Sequence, residues 1–217
     1  MRRGLDLVAL LVGVAVMWPP ALSAQSPDAA TPEIRVGDGW VYDRKDDISG
    51  SPIGTFTSLV TEVSPQEIVT QVNYRGKNGH GLVVFDHDWN RTLDNNIKYK
   101  PNDGHGVRMP LAVSKEWRLE YTFSNAKNGV NMKATSLSKV VAQESVTTPA
   151  GTFDTFKIDR QIKEFNVADP SRLVESQYLM WFAPQINHWV RRTFIAKAEK
   201  RVRSTTTDEL IEVVHKP

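Results

Sequence analysis

Asp86-His87-Asp88 is the one run in this chain that sets potential metal ligands side by side. A carboxylate–imidazole–carboxylate set could hold a divalent ion and activate water for hydrolysis. On a strand, however, Asp86 and Asp88 face one way and His87 the other. Three ligands on one ion need a bend there, with His80 or His105 joining from flanking loops. A metal-dependent hydrolase using Asp86, His87 and Asp88 is therefore the last of three functional readings. No Gly-x-Ser-x-Gly elbow supports nucleophilic catalysis, and the adjacent Asp46-Asp47 pair reads as a solvated polar loop. No catalytic residues, metal site or cofactor motif are expected.

The aromatic residues are more informative. The chain has six tryptophans. Trp18 belongs to the N-terminal apolar run, which leaves Trp40, Trp89, Trp117, Trp181 and Trp189. Large rings fill the core of a wide curved sheet, or line a groove for an acyl chain or sugar. One concave face can do both. Trp117, Tyr121, Phe156 and Ile158 are expected to face that interior, with Trp181 near its rim.

These rings must be positioned by strands. Trp117, Leu119, Tyr121 and Phe123 alternate with Arg118, Glu120 and Thr122. Phe156, Ile158 and Ile162 alternate with Lys157, Asp159 and Gln161. Such period-two patterning marks half-buried strands. Turn signals punctuate it: the glycine-rich run 76–81, Pro101 to Gly106, Asn128-Gly129, Pro149-Ala150-Gly151 and Asp169-Pro170. Leu82 to Trp89 reads as one strand, Val130 to Val146 as a long one, and Ile97 to Tyr99 as a short one. No stretch sustains helical periodicity. The pattern predicts an all-β antiparallel meander of 10–11 strands, one curved sheet forming a half-barrel or open barrel. A faint internal echo accompanies it: Trp40 and Thr57-Ser58-Leu59 recur as Trp117 and Thr135-Ser136-Leu137.

Pro149-Ala150-Gly151-Thr152-Phe153, and Trp181-Phe182-Ala183-Pro184 near the end of a later strand, resemble a bacterial envelope family known as domain of unknown function 3108. Val36-Gly37-Asp38-Gly39-Trp40 and Pro110-Leu111-Ala112-Val113, followed by Trp117, extend the resemblance more weakly. It implies an open curved antiparallel sheet related to the lipoprotein localisation factors, which carry acyl chains across the periplasm. Those carriers fill the concave face with helix, and no such helical segment is found here.

Arg2 and Arg3, the apolar run Leu5 to Trp18, the break at Pro19-Pro20 and the small residues ending at Ala24 read as a secretory signal peptide, residues 1–24. Residues 25–32 read as a disordered polar tail, and 33–217 as a single β-rich domain. Cleavage after Ala24 leaves 217 − 24 = 193 residues. The leader holds two arginines and one aspartate, so net charge moves from +2 to +1. So small a charge argues against a nucleic-acid partner. The chain has no cysteine, which excludes disulfides, thiol chemistry and a lipobox. The expected location is periplasmic or secreted, with no transmembrane anchor after cleavage. Lys197, Lys200, Arg201 and Arg203, with Arg191 and Arg192, form a basic C-terminal patch, read as a charged edge hairpin that resists aggregation. The leading expectation is a non-enzymatic envelope protein binding a lipid or other amphiphilic small molecule on its concave face. The alternative is an adaptor offering a sheet edge to an envelope protein partner.

Overall fold

Alternation becomes strands, and the strands close on themselves. The computed structural model describes residues 31–198 and 201–215. The leader and residues 25–30 of the tail lie outside the described residues. The strands are β1 (Gly39–Asp46), β2 (Pro52–Val63), β3 (Ile68–Tyr74), β4 (Gly81–Phe85), β5 (Arg91–Asp94), β6 (Ile97–Lys100), β7 (Glu116–Asn125), β8 (Asn131–Thr148), β9 (Gly151–Asn166), β10 (Asp169–Ala183), β11 (His188–Ala198) and β12 (Arg201–Val214). A single 3₁₀ turn, Pro184–Ile186, is the one helical element among the described residues. Each strand pairs antiparallel with the next, and β12 pairs with β1.

The all-β meander is as expected, and two details are corrected. The sheet is neither a half-barrel nor an open barrel. The seam runs from Gly39↔Val214 to Asp46↔Thr206 and closes the ring. Closure gives every described strand two neighbours, which removes the open edges of a curved sheet. Among the described residues the count is also twelve, not ten or eleven. The run 82–89 is not one strand. It stops at Phe85, because Asp86 accepts hydrogen bonds from the backbone N–H groups of Asp88 and Asn90 and turns the chain. Trp89 takes a left-handed backbone conformation in that turn, with φ 62°. The chain re-enters the sheet as β5, four residues too short to show alternation.

Call the Gly39 end of β1 the lower end and the Asp46 end the upper. The lower half is packed solid. Trp40, Val60, Ile68, Val140, Ile158, Phe182 and Leu210 are all buried there. Each large apolar side chain removed from water contributes about 1.5–3 kcal/mol. Bulges at Val41/Tyr42, Val140/Ala142 and Trp181/Phe182 help the strands turn around the ring.

The segment between β6 and β7, residues 101–115, does not stay outside. Asp103 is fully buried and Val107 joins the main core. Gly104 sits so close to the inward-facing β7 and β8 walls that a Cβ there would lie 2.8 Å from Ser136 Oγ and 2.9 Å from Leu119 Cδ2. Among the described residues no helix fills this interior; a polar loop does. At Gly106 a Cβ would lie 1.9 Å from the Asp88 carbonyl oxygen. Backbone cannot retreat from that contact. Gly106→Ala is expected to cost about 3 kcal/mol or more, read as a fall in thermal midpoint. Gly129→Ala in an exposed turn, where nothing lies within 4 Å, pays only the cost of its positive φ.

Candidate ligand-binding site

The inserted loop occupies one side of the interior, and above the packed half a cavity of about 190 Å³ remains. Its floor is aromatic: Phe85, Trp89 and Trp189. Its walls carry Tyr42, Phe56, Tyr178 and Met180, and four arginines: Arg44 from β1, Arg91 from β5, Arg160 from β9 and Arg192 from β11. Tyr74 and Asn95, both exposed, stand where the cavity reaches solvent at the upper end.

The arginines are placed by strand parity. Arg44 lies two residues beyond the inward Tyr42, Arg160 two beyond Ile158, and Arg192 two beyond Val190. Charges inside a barrel need partners. Arg44 donates through two nitrogens to both oxygens of Asp208, and Arg192 donates to the same carboxylate at 3.0 Å. Burial alone would raise the Asp208 pKa. The hydrogen bond from Arg44 and the charge of Arg192 outweigh it and hold the carboxyl below its ordinary range. Arg91 pairs with Asp94 and Asp103.

Arg160 is different. Only 2% exposed, it takes no carboxylate. Its Nε donates to Ser138 Oγ at 2.9 Å, and its two terminal nitrogens donate to the carbonyls of His105 and Gly106 at 2.5 and 2.6 Å. The guanidinium is the clamp that holds the inserted loop. Burial pushes its pKa down to about 10, which leaves it charged at neutral pH.

Two histidines are buried and neutral. Burial lowers His105 well below the ordinary imidazole range, with Arg91, Arg160 and Arg192 adding to the shift and Asp103 opposing it. Arg91 lies 3.0 Å from His105 Nδ1 and has only donors to offer. That assigns the lone pair to Nδ1 and the proton to Nε2, although Nδ1 also lies 3.2 Å from Asp103. The shorter contact decides, because a guanidinium cannot accept. Nε2–H has no partner. His188 is stacked between Trp40 and Trp189, with centroids 3.7 Å away on each side. Tyr42 donates its single proton to the Trp189 carbonyl and accepts from His188 Nδ1 at 2.6 Å. The aromatic floor is thus tied to the wall by a hydrogen-bond chain.

The five residues expected to contact ligand are not among those lining this cavity. Trp117 and Tyr121 are buried on the inner face of β7, where Tyr121 meets His105 of the inserted loop, centroids 6.4 Å apart. Ile158 is fully buried in the packed half, and Phe156 pairs across the ladder with Phe182. Trp181 has the opposite parity from Met180; its indole N–H donates to Glu144, and Lys157 and Arg191 lie over its ring. Asp86, His87 and Asp88 do not converge. The Asp86 oxygens accept from Asn90 and Asn102 as well as from the turn backbone. His87 Nε2 pairs with the Ser64 carbonyl at 2.8 Å. Among the described residues no group of three or more such side chains is placed to hold a metal. The basic patch is divided: Arg191 pairs with Glu209 outside, Arg192 turns inward, and Lys200 lies outside the described residues. With β11 and β12 each paired on both sides, its edge-protecting role disappears.

Arg160→Met removes the clamp on the loop. Lost charge-assisted bonds cost about 1.5–3 kcal/mol each, so a strongly lowered midpoint and faster hydrogen exchange over 101–115 are expected. Arg160→Lys should not restore either, since an ammonium cannot span both carbonyls and Ser138 as a planar fork does. Asp208 sets an acid limit. Its folded pKa lies below the unfolded one, so its contribution is complete above the ordinary carboxylate range and is lost as pH falls through the depressed value. Asp208→Asn should cost about 2 kcal/mol at neutral pH, discounted because both arginine partners are partly exposed, and should flatten the fall in thermal midpoint between about pH 5 and pH 2.

No curated protein matches the chain. Solved structures share the fold, two of them as follows. One is described as a putative lipoprotein from Parabacteroides distasonis ATCC 8503, with TM-score 0.53, 17% identity, and coverage of 82% of this chain and 95% of that one. The other is described as a putative exported protein with YmcC-like fold from Bacteroides fragilis NCTC 9343, with TM-score 0.52, 15% identity, and coverage of 82% and 96%. The turn at Pro149 to Phe153, the Trp181 to Pro184 motif, and the cavity residues His105, Arg160 and Arg192 all fall in one matched stretch: residues 105–206 match the family model described as DUF3108-like.

Proposed function

We propose that this chain is an exported, non-enzymatic envelope protein that holds one small amphiphilic molecule inside its barrel. The observation that carries the reading is the cavity itself, aromatic at its floor, arginine-lined on its walls and open at the upper end. A pocket of that mixed character suits a ligand with an apolar tail and a polar head. At about 190 Å³ it suits a single-chain molecule or one end of it, not a whole two-chain lipid. The N-terminal leader, and structural relatives described as a putative lipoprotein and a putative exported protein, support an envelope location. The adaptor alternative relied on an open strand edge for β-augmentation, and the closed ring leaves that mode without its template. The hydrolase alternative relied on Asp86, His87 and Asp88, which do not converge: the Asp86 carboxylate holds the β4–β5 turn and His87 pairs with the Ser64 carbonyl.

The test is native mass spectrometry of protein purified from a periplasm, followed by extraction and titration with a single-chain amphiphile. A bound small molecule is expected, and tryptophan fluorescence should respond, because Trp89 and Trp189 line the cavity. A ligand-free protein whose fluorescence ignores every amphiphile offered would sink the reading.

A further inference from the structure

The cavity wall is unbalanced in two ways. Four guanidiniums (Arg44, Arg91, Arg160 and Arg192) face three paired carboxylates, Asp94, Asp103 and Asp208, so 4 − 3 leaves one guanidinium, Arg160, without a carboxylate partner. Glu164 does not line the cavity, and burial raises its pKa. The second imbalance is in hydrogen bonding. Two residues of the lining each carry a buried nitrogen without a partner: His105 Nε2 and Trp189 Nε1. Trp189 is only 7% exposed. An indole nitrogen is always a donor, and the contact of Arg91 with His105 Nδ1 makes Nε2 a donor too. Buried orphan donors cost free energy in an empty site. Both become satisfied when an acceptor arrives.

Arg192 joins these groups. Its guanidinium lies 4.9 Å from the Trp189 ring centroid, and its bond to Asp208 uses one of its five N–H groups. The positive field at His105 includes Arg91, Arg160 and Arg192. The lining thus offers a fork, an indole N–H and an imidazole N–H, and more guanidinium than paired carboxylate. Resting on the reading of the cavity as an amphiphile site, we infer that the polar end of the ligand is an oxyanion, a carboxylate or a phosphate monoester, received between Arg192, His105 and Trp189. Its tail rests on Phe85 and Trp89.

The experiment is calorimetric titration of the extracted full-length mature protein with four probes sharing one chain length: octanoate, octyl phosphate, octan-1-ol and octyltrimethylammonium. Octanoate or octyl phosphate should bind about tenfold or more tightly than octanol, and their order separates carboxylate from phosphate. Arg192→Gln should abolish the preference, read as the ratio of octanoate to octanol affinity within the same folded variant. Trp189→Phe deletes one N–H with little change of shape, and should narrow the preference even if the arginine variant does not fold. Octanol matching the anions, or the ammonium probe binding best, overturns the oxyanion assignment and leaves the amphiphile reading standing. An anion preference unmoved in both folded variants overturns the placement of the head. No heat from any probe overturns the amphiphile reading, and this inference with it.

Discussion

A guanidinium sealed inside a barrel is tolerable only where its N–H groups find acceptors. Arg160 finds them in a neighbouring hydroxyl and in two backbone carbonyls of a loop fifty-odd residues away in sequence. Without that loop, two of its three bonding nitrogens would lose their acceptors. Without Arg160, the loop would carry two buried carbonyls lacking those partners. Each makes the other affordable, and the interior takes its shape from the bargain. The loop fills one side of the lumen and leaves the cavity on the other. His105, whose carbonyl is clamped, is thereby held with its ring 4.9 Å from Tyr178 and on the cavity wall.

The fold was legible because its strands alternate. Glu116–Asn125 puts Trp117, Leu119, Tyr121 and Phe123 on one face, and nothing but a half-buried strand gives that spacing. Closure was not legible, because no local pattern says which strand the last one will meet. The site was hidden for a related reason. Arg44, Arg160 and Arg192 sit at inward positions, but an arginine in an alternating run reads as a solvent-facing residue. Arg160 follows Ile158 and precedes Ile162 at the same parity. A charged residue continuing an apolar face was the signal available, and it pointed to a buried, partnered charge. Pro101 to Gly106 read as surface turn for its composition. Two of its glycines are instead needed for close approach to β7, β8 and the β4–β5 turn.

The repeat seen in sequence has a counterpart in the ring. Trp40 is the second residue of β1 and Trp117 the second of β7, so the two tryptophans open successive runs of six strands. The register is not conserved with them. Trp40 pairs with Ser58, whereas Trp117 pairs with Ser138 rather than Ser136. The second half is also built of longer strands, with β8 to β10 at 18, 16 and 15 residues. Of the four cavity arginines, two come from each half, so the lumen is a joint product of both.

The β1–β12 seam joins Gly39 to Val214. Loop closure over such a span is entropically slow, and contacts between distant segments set the pace of folding. The hairpins can form as they emerge, but the ring cannot, because its last partner is also the last strand made. Until β12 arrives, β1 has an unpaired side and the Arg44–Asp208 pair is incomplete. A chain arranged in this way has no finished interior to assemble early. It stays extensible until β12, the last of the described strands, has paired.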